Sequence, residues 1–146
     1  MIFKFLLPNM TTHEALTVKA REVLHTIALV KKYQKYSQEE IERDITLQGA
    51  VQHYLYIMCQ SAIDLGEMYI EYRSYRVPAT YADIFDILLE QEVISADVSL
   101  TMRNMAGFRN ILAHQYGKVK FDIVHEVLTD GIDSVIQFVR MIEQNT

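Results

Sequence analysis

Residues 121–142 read FDIVHEVLTDGIDSVIQFVRMI, and within them Phe121, Val124, Leu128, Ile132, Val135, Val139 and Ile142 recur at steps of three and four. That is the period of an α-helix burying one narrow seam in a bundle, and it predicts a helix over about 120–143. A strand would need two-residue alternation between turn signals, which no stretch of the chain shows. The expected fold is all-α.

Working outward, the same periodicity recurs with helix-start signals between the runs. Thr11-Thr12-His13-Glu14 reads as a capping box, and Leu16, Ala20, Val23, Leu24, Ile27 and Val30 give one apolar face from about residue 12 to 35. Lys31, Lys32 and Lys35 close its last turns, where the helix dipole favours positive charge. Ser37-Gln38-Glu39-Glu40 repeats the box and opens the longest run, a helix expected over about 38–73. This helix carries two apolar stripes: Ile41, Ile45, Leu55, Met58, Ala62 and Leu65 on one side, Leu47, Ala50, Tyr54, Ile57 and Met68 on another. A helix apolar on two faces needs two partners, its own bundle and a second copy of the chain, so a homodimer is expected. Pro78 stops this helix, Thr80 with Asp83 starts another over about 81–91, and Ser95 with Asp97 starts a fourth near 96 that Gly117 can end. The sum is a bundle of about five helices.

Composition bounds the function. At 146 residues, 50% of them hydrophobic, the chain fits one domain with a real core, placed at 12–146. Residues 1–11 are set aside as a leader or loosely docked arm, because the apolar run Ile2–Leu7 is too short to span a membrane. The lone Cys59 excludes a disulfide framework and, with no membrane span, suggests a cytoplasmic protein. Fourteen Lys and Arg against nineteen Asp and Glu leave a net charge of −5, so any nucleic-acid contact has to be local. His13, His25, His53, His114 and His125 do not pair at metal-ligand spacing, and phosphate-loop and zinc-protease motifs are absent. No metal or cofactor is expected.

The chemistry concentrates in Arg109-Asn110-Ile111-Leu112-Ala113-His114-Gln115-Tyr116, where a permanent cation, an imidazole and a phenol lie within about two helical turns. Lys118 adds a cation just beyond. On an unbroken helix Arg109 and His114 would diverge by roughly 140°, while Tyr116 would return to within about 20° of Arg109. Convergence therefore needs either a helix that unwinds near His114 or two protomers meeting across a symmetry axis. On the long helix, Asp64 sits among apolar neighbours and needs a partner, for which Arg109 is the candidate, unless it lies partly exposed at the margin of the stripe.

Arg109-x4-His114-x-Tyr116 resembles the Arg-x4-His-x-Tyr motif of the HepT-like toxin branch of the HEPN superfamily. The surroundings are similar too: Met105-Ala106-Gly107-Phe108 before the arginine, Ala62-Ile63-Asp64-Leu65-Gly66 on the long helix, and Pro78-Ala79-Thr80-Tyr81 opening the next. The resemblance covers about residues 12–143 and departs at His53, where relatives are expected to carry an arginine. It implies a HEPN-like helical homodimer, the toxin of a toxin–antitoxin pair, acting as a metal-independent endoribonuclease whose cleft between protomers cuts RNA by attack of its own 2′-hydroxyl. His114 would be the general acid or base and Arg109 the phosphate clamp, with Asn110 and Lys118 as further phosphate or RNA contacts. The resemblance further implies an antitoxin partner, a nucleotidyltransferase of the MNT type, that adenylylates Tyr116. Two other readings stay open, a non-catalytic nucleotide- or RNA-binding HEPN module and a dimeric helical adaptor in which Arg109 merely neutralises Asp64.

Overall fold

The computed structural model describes residues 11–146, all-α with no strand among them. The expectation for residues 1–11 falls, except for Thr11, outside the described residues. The first helix, α1 (His13–Lys31), is capped by Thr12, whose side chain accepts from the Ala15 amide at 3.0 Å. The cap thus sits one residue later than the predicted Thr11, and with Ala15 rather than an acid at the third position it has only one arm.

At Ser37 the predicted box is complete: the Glu40 amide donates to the Ser37 hydroxyl and the Ser37 amide to the Glu40 carboxylate. The helix it opens, α2 (Gln38–Arg43), ends at once. Asp44 turns extended and its carboxylate accepts from the amides of Thr46 and Leu47, starting α3 (Ile45–Arg73). The single helix expected over 38–73 is therefore two, because an Asp at this point satisfies a new helix start better than it continues an old one. The break rotates the register: Ile41 stays buried while Ile45, placed on the same stripe by periodicity, is 82% exposed.

The rest follows the predicted punctuation. Ser74 ends α3 in the left-handed region at φ 56°. Arg76 then reaches over the connection to Asp83 at 2.9 Å and Glu90 at 2.8 Å, and its hydrogen bonds hold both carboxylates below their ordinary range. Thr80 caps α4 (Tyr81–Glu90) and Ser95 caps α5 (Ala96–His114). A short 3-10 turn, Tyr116–Lys118, leads into α6 (Phe121–Glu126), a π turn (Val127–Gly131) and α7 (Ile132–Gln144). These last three run on with helical backbone across their junctions, as the helix predicted over about 120–143. The π turn has a cause. Val124, Leu128 and Ile132 make two successive steps of four, which on an α-helix would swing the seam by roughly 80°; the wider turn absorbs the swing, and all three are fully buried. Gln34 donates to the Leu128 carbonyl at 3.0 Å there, tying the end of α1 to the π turn.

The long α3 is the axis on which α1, α4, α5 and α7 pack. Its closest approach is at Gly66, where a Cβ would lie 2.8 Å from Ile84 Cγ2 and 3.4 Å from the Phe138 ring. Neither neighbour can retreat, since both are buried and Ile84 is stiff at its branched carbon. Gly66→Val is therefore expected to lower unfolding free energy by about 1–3 kcal/mol in a denaturant titration. No helix among the described residues is long and apolar enough to cross a membrane.

Candidate active site

A cleft of about 400 Å³ lies between the first half of α3 and the end of α5. Gly49, Gln52, His53 and Tyr56 line one wall; Arg109, Leu112, Ala113 and His114 line the other. The sequence placed Arg109 and His114 on diverging faces unless α5 unwound or a second protomer intervened. Yet α5 stays helical through His114, and one chain brings both residues to the same cleft. The helix stops immediately afterwards, at Gln115, earlier than the expected stop at Gly117. Tyr116 opens the 3-10 turn beyond it, so the near-alignment with Arg109 expected of a continuous helix does not apply.

Arg109 is held more completely than any periodicity suggested. Its Nε donates to Gln60 Oε1 at 2.7 Å, its Nη2 to the Tyr56 hydroxyl at 3.2 Å and its Nη1 to Asn110 Oδ1 at 3.0 Å. The guanidinium also lies over two rings, 5.3 Å from the Tyr56 centroid and 5.1 Å from that of Tyr81. Planar contacts of this kind suit a guanidinium and not an ammonium. They leave the cation half-buried with its plane defined, which is what recognition of a tetrahedral oxyanion requires.

Asp64 does not pair with Arg109, which corrects the expectation and removes the contact on which the adaptor reading stood. Gln60 stands between them, because its amide accepts from Arg109 and donates to Asp64 Oδ1 at 2.8 Å. The other Asp64 oxygen lies 3.7 Å from Lys19 Nζ on α1, and the side chain is 39% exposed. A neutral amide, able to do both, therefore passes the carboxylate's orientation on to the arginine. Behind the cleft wall, burial pushes the Cys59 thiol up to about 12, opposed in part by the nearby Arg109 charge, so Cys59 is packing and not a nucleophile.

Of the remaining candidates, Asn110 is exposed and commits its carbonyl oxygen to Arg109. Lys118 is exposed at the end of the 3-10 turn, outside the cleft lining, with its amide bonded to the Gln115 carbonyl at 2.8 Å. Among the described residues no group of three or more His, Cys, Asp or Glu is placed to hold a metal ion. The residues missed at the sequence level are Gln52, Tyr56, Gln60 and Tyr81. The first three had a signal: with Asp64 they form a ladder of polar residues at four-residue steps along an otherwise greasy helix.

Comparison with known proteins now has a geometry to refer to. Residues 23–142 match the model of the family described as ribonuclease HepT-like. The mRNA nuclease HepT of Shewanella oneidensis is 27% identical over 127 residues, covering 83% of this chain and 96% of that protein. A crystal structure of a toxin–antitoxin with AMP-PNP contains a chain that superposes with a TM-score of 0.81 at 25% identity, covering 88% of this chain and 97% of that one. The tri-AMPylated Shewanella oneidensis HEPN toxin in complex with MNT antitoxin shares the fold, with a TM-score of 0.82 at 23% identity over 91% of this chain and 99% of that one.

Proposed function

We propose, from the premise that this chain belongs to the ribonuclease HepT-like family, that it is the endoribonuclease toxin of a toxin–antitoxin pair, working as a homodimer. The observation that carries the reading is a ring-flanked, triply hydrogen-bonded Arg109 in the same cleft as His114. A fixed guanidinium sharing a cleft with a histidine is suited to moving a proton next to a phosphate.

In the proposed reaction the RNA 2′-oxygen attacks the adjacent phosphorus and the 5′-oxygen of the next nucleotide leaves. The products are a 2′,3′-cyclic phosphate and a 5′-hydroxyl. His114 accepts the 2′ proton while water protonates the leaving oxygen, or protonates that oxygen while water takes the 2′ proton, and Arg109 stabilises the charge that builds on the non-bridging oxygens. Asn110 and Lys118 extend the phosphate contacts along the strand. Beyond Tyr54, the half-buried Ile57 and Met68 continue the second stripe of α3 and support a second copy docking there. The partner is a nucleotidyltransferase antitoxin of the MNT type, a reading supported by the similar chain solved in a toxin–antitoxin with AMP-PNP. In silencing, the Tyr116 phenol oxygen attacks the α-phosphorus of ATP and pyrophosphate departs.

Incubation of single-stranded RNA with the purified protein in excess chelator tests the chemistry. Cyclic-phosphate ends are the expected product; intact RNA, or cleavage that returns only when a divalent ion is added, would overturn it. Gln60 provides a finer test as a positioning residue. Gln60→Leu is expected to lower kcat by roughly 10- to 100-fold with KM for RNA changed far less, because the arginine stays charged but loses its angle.

A further inference from the structure

We propose that the end of α1, the turn after it and the first half of α3 form a stacking track for single-stranded RNA leading away from the cleft, an inference that rests on the ribonuclease reading above. The track begins at His53, which is exposed, borders the cleft and meets the Tyr54 ring edge-on at 5.4 Å. Tyr54 stacks on Tyr33 across helices at 5.6 Å and 25°. Tyr33 in turn lies 6.2 Å from Tyr36, over whose ring Lys35 Nζ sits at 5.2 Å.

All three tyrosines rest one side on the core and are half-buried. Their hydroxyls enter no intramolecular hydrogen bond among the described residues, unlike those of Tyr56 and Tyr69. Tyrosines that were only packing would gain nothing by keeping three hydroxyls without a partner inside the protein. Lysines gather beside these rings, although the chain as a whole is acidic. Lys31, Lys32 and Lys35 are exposed and make no ion pair among the described residues. Four acids follow: Glu39 pairs with Arg43, while Glu40, Glu42 and Asp44 keep their charge and accept hydrogen bonds from the Ser37 amide, Gln38 and the first amides of α3.

The helix dipole accounts for cations in the last turn of α1, but not for a ring relay that joins them to the cleft. Aromatic faces flanked by cations suit a polyanion whose bases are unpaired. Single-stranded RNA offers both, whereas a duplex hides its base faces.

Binding of a labelled oligouridylate to the His114→Ala protein, read by fluorescence anisotropy across a salt series, tests this without cleavage interfering. Tyr33→Ala and Tyr54→Ala are each expected to weaken binding about tenfold, and Tyr54→Phe, which keeps the ring, to retain it. The triple variant Lys31→Gln, Lys32→Gln, Lys35→Gln changes only exposed side chains and should flatten the log–log salt slope by about 2. Arg21→Gln, about 15 Å earlier on α1, should leave that slope unchanged. Wild-type affinity and slope in the lysine variant, together with tight binding by folded Tyr54→Ala, would overturn the track while leaving cleavage by the wild type to support the ribonuclease reading. Track-dependent binding by a wild type that cuts no RNA would instead overturn the ribonuclease reading alone.

Discussion

His114→Ala is expected to reduce RNA cleavage by about 10²- to 10⁴-fold, the usual contribution of a positioned general acid or base. Because His114 is exposed at the last position of α5, the substitution removes no core contact, and the variant should unfold at the wild-type denaturant midpoint. Arg109 offers a companion test in which charge is retained and geometry is not. Arg109→Lys keeps the cation but cannot donate simultaneously to Gln60, Tyr56 and Asn110, as Arg109 does. Nor can an ammonium lie flat over the rings of Tyr56 and Tyr81. A loss of about 10²- to 10³-fold in kcat is expected, comparable to removal of one preorganised oxyanion donor. If Arg109→Lys cut RNA as fast as wild type, phosphate attraction alone would explain the arginine, and the clamp built around it would have no catalytic meaning. Equal activity in His114→Ala would remove the acid–base role outright.

The clamp also marks the boundary between what periodicity could and could not reveal. Helix starts were legible where a single side chain decides them: Ser37, Thr80 and Ser95 each accept an amide hydrogen bond at the position their residue type favours. Asp44 carried the same signal, but the apolar stripe running from Ile41 through Ile45 outweighed it, and two helices were read as one. The seam of the last helix was legible in full, while its doubled step of four, the mark of the π turn, passed as ordinary spacing.

At the site, Arg109 and His114 were visible because both lie in one short motif. Their support was not, since Tyr81 comes from α4 and Gln60 from α3, and nothing in a linear pattern says which polar residue of one helix faces which of another. Asp64 illustrates the difficulty. Its apolar neighbours on the helix suggested burial, yet its side chain is 39% exposed, and its contacts are Gln60 on its own helix and Lys19 on α1. Five residues along a helix set Arg109 and His114 roughly 140° apart, yet a cleft of about 400 Å³ is wide enough to be bordered by both.

Co-expression with an active nucleotidyltransferase partner is expected to raise the intact mass of the wild-type chain by one or more adenylyl units, all mapping to Tyr116. Tyr116→Phe lacks the nucleophilic oxygen, so it should keep its mass and its ribonuclease activity and remain toxic beside the partner. The position favours this. Tyr116 lies two residues beyond the end of the cleft-lining helix, in a 3-10 turn whose glycine and lysine neighbours are both exposed, where a second active site can approach without unfolding α5. Silencing follows from electrostatics as much as from bulk. Each added AMP carries a phosphodiester charge of the same sign as the scissile phosphate and is tethered within a few residues of His114, so it competes for the guanidinium that RNA requires. Modified protein should therefore lose RNA affinity as well as turnover, and its deficit relative to unmodified protein should narrow as salt screens the added charge. A mass increment on any other residue, or full RNA cleavage by protein uniformly modified at Tyr116, would defeat the switch while leaving the Arg109–His114 site intact.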